Sequence, residues 1–131
     1  MLAVDTNVVV RFLANDDPRQ SPLTRDLFLS QRIWIAKSVL LETDWVLRNS
    51  YGMDRVAIHF ALTRLLTLPM VMVEDEPAVN KALVLGEQGL DFADALHLAS
   101  RPPGSRFVTF DRALIRRTKR LGESAVTDLP L

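Results

Sequence analysis

The chain alternates between short apolar runs and longer stretches in which apolar positions recur every three or four residues. The short runs are Leu2 to Val4, Ile33 to Ala36, Met70 to Val73, Arg106 to Phe110 and, more weakly, Ser124 to Thr127. Their length and their β-branched or aromatic content predict strands. The periodic stretches predict helices at 7 to 14, 22 to 30, 38 to 49, 54 to 67, 77 to 86, 92 to 100 and 111 to 120. Boundary residues support this division. Asp17-Pro18 and Ser21-Pro22 each set a capping side chain before a proline suited to a first helical position, and Ser38 precedes VLLETDWVL. Gly52, Gly86 with Gly89, and Pro102-Pro103-Gly104 read as stops. Strands separated by helices pair in parallel through right-handed crossovers. The expectation is an α/β/α sandwich around a central, mostly parallel sheet of four to five short strands. No repeat, linker or low-complexity segment interrupts it, and 131 residues suit one domain spanning 1–131.

Composition narrows the function classes. Hydrophobic residues at 48% with charged residues at 24% match an ordinary globular protein. Cysteine is absent, which removes a disulfide framework, a thiolate nucleophile and a cysteine zinc site, and is compatible with the reducing cytoplasm, the location expected. The N-terminus lacks a basic segment with a small-residue cleavage site, and Asp5 and Arg11 interrupt its apolar stretch, so it reads as mature and unexported. No apolar run approaches the roughly 18 residues of a membrane span. Sixteen basic residues balance sixteen acidic ones, so net charge gives no pull toward nucleic acid or membrane and only its distribution is informative.

The acids carry the chemistry. In open parallel sheets, ligands bind beyond the carboxyl ends of the strands. Asp5 follows the first predicted strand and Asp111 the fourth, although each has a plain alternative as a helix cap. Asp44 has Arg48 four residues later, an exposed ion pair that needs no further role. Glu42, nearly opposite Asp44, neighbours Val39, Trp45 and Val46 on its helix. It lies either at the edge of a surface face or against a cavity, where a carboxylate needs hydrogen bonds, a proton or a cation. Asp91 and Asp94 are adjacent on one helix face, with Asp91 read as the N-cap. Asp94 could complement the helix dipole or close a capping box with Asp91, yet the next turn offers it no Lys or Arg. His97, on the same face, reads as a hydrogen-bonded structural residue.

Asp5, Glu42, Asp94 and Asp111 all fall at strand ends or in helices that can converge on one sheet edge. Like charges sharing a small site raise one another's pKa values, and a divalent cation with oxygen ligands is the common remedy. With no soft ligand present, Mg²⁺ or Mn²⁺ fits. Such a site suits phosphoryl chemistry, in which the ion activates water and stabilises developing charge. Arg112, Arg116, Lys119 and Arg120 follow one face of the last helix with Arg117 beside them. That face is either a phosphate-binding patch or a solvated surface that favours the helix dipole.

Four segments in this order, VDTNVVVRFL, ETDWVLRNSYG, DFADALHLA and VTFDRAL, resemble the PIN-domain ribonucleases, specifically the toxin half of virulence-associated toxin–antitoxin pairs. The resemblance runs the length of the chain. It implies a PIN-like α/β/α fold and an Mg²⁺- or Mn²⁺-dependent endoribonuclease that leaves a 5′-phosphate and a 3′-hydroxyl. It carries metal-site roles onto Asp5, Glu42, Asp94 and Asp111, makes Thr6, Asn7 and Thr109 supporting residues, and gives Asp91 an outer role. It also implies an RNA substrate, a small antitoxin partner and a toxin homodimer. Phe12, Leu13, Leu27, Phe28 and Leu29 offer a partner surface, with core packing as the rival explanation.

Other classes fit less well. A phosphoacceptor receiver domain wants a second acid beside the first strand's acid and a lysine after a late strand. A haloacid-type phosphatase wants Asp-x-Asp where this chain has Asp5-Thr6-Asn7. A catalytically inactive PIN-like RNA-binding or scaffold protein is the remaining alternative, and transfer, ribosomal and messenger RNA are all open as substrates.

Overall fold

A computed structural model describes all 131 residues. In chain order the elements are β1 (Leu2–Ala3), α1 (Thr6–Ala14), α2 (Gln20–Ser30), β2 (Ile33–Ile35), α3 (Lys37–Asn49), α4 (Arg55–Leu66), β3 (Val71–Val73), α5 (Glu76–Glu87), α6 (Phe92–Ala99), β4 (Phe107–Val108), α7 (Arg112–Arg120) and β5 (Val126–Thr127). Every strand pair is parallel. β2 is central to a three-stranded sheet, with Ile33 opposite Leu2 of β1 and Val71 of β3. β4 pairs with β5 alone, Phe107 opposite Val126. The α/β class is as expected, but the hydrogen-bonded ladder is three strands plus two rather than one continuous sheet.

Burial explains the arrangement. Ile33 and Ile35, two residues apart and so on one face of β2, are fully buried, as a central strand requires. Leu40 and Leu47 of α3, Ile58 and Leu62 of α4, Val79 and Leu85 of α5 and Leu96 of α6 complete one continuous core with them. Leu114 and Val126 bring α7 and β5 into the same cluster. α3 packs against α1, α4 and α6, while α5 and α6 pack closely together.

Several helix boundaries differ from expectation. α2 starts at Gln20, two residues before the predicted start. Asp17 is its effective cap, the Oδ1 atom accepting from the Arg19 and Gln20 amides at 2.9 and 2.6 Å. Ser21 lies within the helix and donates its hydroxyl to the Arg11 carbonyl at 2.9 Å, pinning α2 to α1. Ser38 is inside α3 rather than before it; the N-cap residue is Ala36, and the first amide of the helix, that of Lys37, donates to Glu74 Oε1 at 2.9 Å. Gly86 is not a stop. It is buried in α5 where α4 crosses, and a Cβ there would stand 2.7 Å from His59 Nδ1. The stop is Gly89, whose φ of +105° favours glycine.

The proposed partner surface also divides. Phe28 is buried and its ring stacks on Phe12 with centroids 4.3 Å apart, so it belongs to the core. Phe12 and Leu13 instead line a groove of about 630 Å³ with Met53, Phe60, Leu65 and Leu68, between α1 and α4. Leu29 is exposed but lies outside that groove.

Candidate functional site

Asp5 is both a cap and a cleft residue. Its Oδ1 accepts from the Val8 amide at 3.1 Å, the capping role, which leaves Oδ2 free. Asp5 then shares a cleft of about 280 Å³ with Thr6, Asn7, Ser38, Val39 and Glu42. The cleft exists because β1 and β2 are parallel neighbours, so the chain leaves both strands at the same edge, into α1 and α3. Glu42 is exposed, and no cation or hydrogen-bond donor of the protein engages its carboxylate. Thr6 is buried under this edge and Asn7 is exposed on it.

A second group forms where α6 approaches β4 and α7. Asp111 repeats the Asp5 arrangement: Oδ1 accepts from the Leu114 amide at 3.0 Å, while its own N–H donates to Thr109 Oγ1 at 3.0 Å. Asp94, in the first turn of α6, is half-buried. Burial pushes its carboxyl above the ordinary range, and the charges of Asp91 and Asp111 push it further, against the smaller opposing influence of His97 and Arg117. Asp94 thus lies within the fields of Asp91 and Asp111.

Two acids behave differently from expectation. Asp44 is not at the surface. It is 4% exposed, although its pairing with Arg48 at 3.2 Å is as expected. Burial raises its carboxyl above the ordinary range, Arg48 opposes that, and Asp91 and Asp94 add to it. Asp91 occupies the N-cap position of α6 but makes no side-chain capping bond. Its carboxylate instead receives a hydrogen bond from Arg48 Nη2, the atom that also reaches Asp44. The Arg48 guanidinium therefore ties α3 to the start of α6. Neither this bridge nor the place of Ser38 in the cleft was foreseen. For Asp44 the signal was present, since Leu40, Leu41 and Leu47 stand at i−4, i−3 and i+3.

The structure thus joins Asp5 to Glu42 in one cleft and Asp94 to Asp111 through their fields, with α3 packed between α1 and α6. No three acidic or histidine side chains converge into a ready-made cage. On α7, Leu114 and Thr118 are buried, while Arg112, Arg116, Arg117, Lys119 and Arg120 are all exposed without acidic partners. No helix is long and apolar enough to cross a membrane.

This fold agrees with what comparison finds. The PIN domain family matches residues 2–121, and the chain belongs to that family. PIN domains are in general metal-dependent nucleases. No curated protein matches the chain.

Proposed function

We propose that this PIN domain is an endoribonuclease dependent on Mg²⁺ or Mn²⁺ and acts as the toxin of a type II toxin–antitoxin pair. The observation that carries the nuclease reading is the set of acids left without a protein cation as partner: Glu42 beside Asp5 in one cleft, and Asp94, raised by burial and then by Asp91 and Asp111. The donor set fits a hard divalent ion. All its atoms are oxygens, and crowded carboxylates without a counter-cation are what such an ion relieves. Mg²⁺ usually keeps several waters and takes one or two carboxylates, so a preformed cage is not required. When bound, the ion supplies an activated water and charge stabilisation at the phosphorus.

The residues divide the remaining work. Asp5 and Asp94 are the principal ligands, and Asp111 completes the set with the oxygen its capping bond leaves free. Glu42, unpaired in the cleft, would hold the ion directly or through water and accepts the proton that the attacking water loses as its oxygen bonds to phosphorus, while the P–O3′ bond breaks and the 3′-oxygen takes a proton from bulk water. The Thr109 hydroxyl fixes the Asp111 backbone, Thr6 and Asn7 shape the turn after β1, and Asp91 acts from outside through Arg48. Arg112, Arg116, Lys119 and Arg120 attract the RNA backbone. The products are a 5′-phosphate and a 3′-hydroxyl. Four acids with free oxygens weigh against the inactive scaffold alternative. The antitoxin and the homodimer follow from the resemblance in sequence, and the apolar groove beside Phe12 and Phe60 suits an amphipathic helix of the antitoxin.

A cleavage assay with added Mn²⁺ tests this reading. Glu42→Gln and Asp111→Asn are each expected to lower cleavage by about 100-fold or more, the order seen when a key transition-state group is lost. A thermal melt gives the independent readout. In EDTA, Asp94→Asn should melt above the parent because one repulsive charge is gone. Ion at about a hundred times its dissociation constant should stabilise the parent by roughly 2.7 kcal/mol, and Asp94→Asn by much less. A parent that melts at the same temperature with EDTA and with Mn²⁺ contradicts the metal site.

A further inference from the structure

α7 presents more than a charged face. Arg117 and Arg120 are three residues apart, hence neighbours on the helix surface. Together with Gln88, Gly89, Leu90 and Leu121 they enclose a cleft of about 220 Å³. No carboxylate lines it. Neither arginine has an acidic partner, and the Gln88 side chain makes no hydrogen bond within the protein. At Gly89 nothing stands within 4 Å of where a Cβ would be, so the turn leaves open space in front of its backbone. Leu90 is buried and anchors this turn to the core.

We infer that this cleft is a phosphate-binding subsite, occupied by a backbone phosphodiester of the RNA strand on the α6–α7 side of the scissile bond. The inference rests on the ribonuclease reading above. The two free guanidinium groups supply donors and positive charge only, and the Gln88 amide can turn its NH2 to the same ligand, so the ligand must bring acceptors and negative charge. Guanidinium forks match phosphate oxygens in particular. The helix dipole accounts for basic residues near the end of α7, but not for two of them lining one concavity without an acid. Location selects the strand over a free anion. The turn that closes the cleft runs directly into Asp91 and α6, and Arg117 lies near enough to Asp94 for its charge to be felt there. A strand crossing the acids toward α7 enters the cleft next.

The test measures fluorescence anisotropy of a labelled, unstructured, mixed-sequence oligoribonucleotide in EDTA, so that nothing is cut. Arg117→Gln/Arg120→Gln is compared with Arg19→Gln/Arg25→Gln, which removes the same charge from exposed positions at the start and in the middle of α2. Each phosphate neutralised on a single strand contributes about 0.7 to the slope of log affinity against log salt, so the first pair, which together holds one phosphate, should flatten it by about 0.7 and the second should not. Arg120→Gln alone should flatten it by about half as much. In Mn²⁺-supported cleavage, the Arg117/Arg120 variant should raise KM with kcat nearly unchanged. Equal slopes for the two double variants, with a parent that cleaves RNA, overturn the subsite and leave the ribonuclease reading standing. A parent that neither binds nor cleaves RNA overturns both. A melting shift by inorganic phosphate that needs Arg117 and Arg120, with RNA affinity unchanged in the variant, replaces the strand by a small anion.

Discussion

Arg48 reaches two acids with one nitrogen, and removing it should leave Asp44 buried without its cation. Arg48→Met is expected to cost on the order of 2–3 kcal/mol in denaturant unfolding, and Asp44→Asn/Arg48→Met to cost less because the buried acid is then neutral and only the more exposed Asp91 is left without its partner. The same region sets the response to pH. Asp44 and Asp94 have carboxyls raised above their ordinary value of 3.8, so the folded protein holds those protons more tightly than the unfolded chain. Their stabilising contribution is fully present below 3.8 and is lost as pH rises through the raised values. Melting temperature in EDTA should therefore climb as pH falls from neutral toward that range. Below it the trend should turn down, because the Gln20 and Arg19 amides hold Asp17 low, the Lys37 ammonium holds Asp75 low, and both lose their support on protonation. With Mn²⁺ in excess, acidification should destabilise throughout, as protons displace the ion. At this scale the placement of a candidate acid was legible where it follows a strand, as with Asp5 and Asp111. It was misjudged where an acid had a neighbouring cation, since a pair four residues apart looks alike on a wet surface and against a core.

Packing between elements decides what spacing along the chain cannot. All seven helices and all five strands were anticipated, because apolar periodicity and strand length are local properties. Gly86 was read as a stop because its local sequence says nothing of α4 crossing there. Gly86→Ala should cost about 1–3 kcal/mol by overpacking against His59, whose Nε2 is engaged with Glu87 Oε2 at 3.0 Å. His59→Ala should return part of that loss, which a double-mutant cycle by thermal melt would measure. The basic helix gives a second test at this scale. Arg112→Ala/Arg116→Ala should weaken RNA binding more at low than at high salt, and an unchanged salt slope would return that face to simple solvation.

Across the whole molecule, the acids are divided between two hydrogen-bonded assemblies. Asp5 and Glu42 stand at the edge of the β1–β2–β3 sheet, whereas Asp111 follows β4 in the separate β4–β5 pair. Side-chain packing through Leu114 and Val126 joins the pair to the core, and Glu123 adds ion pairs to Lys81 at 2.9 Å and Arg101 at 3.8 Å. No backbone ladder crosses that seam. Regions held by side chains alone open at lower free energy than those in a continuous ladder. Amide protons of β4, β5 and α7 should accordingly exchange with deuterium well before those of β2, such as the Ile33 amide bonded to the Met70 carbonyl at 2.8 Å. An ion held jointly by Asp5 and Asp111 would stitch the seam, so Mn²⁺ should slow exchange in the last quarter of the chain and leave β2 almost unaffected. The metal would then serve as a clasp between two foldons as well as a reagent, and the closing segment would be the part of the protein that registers its arrival.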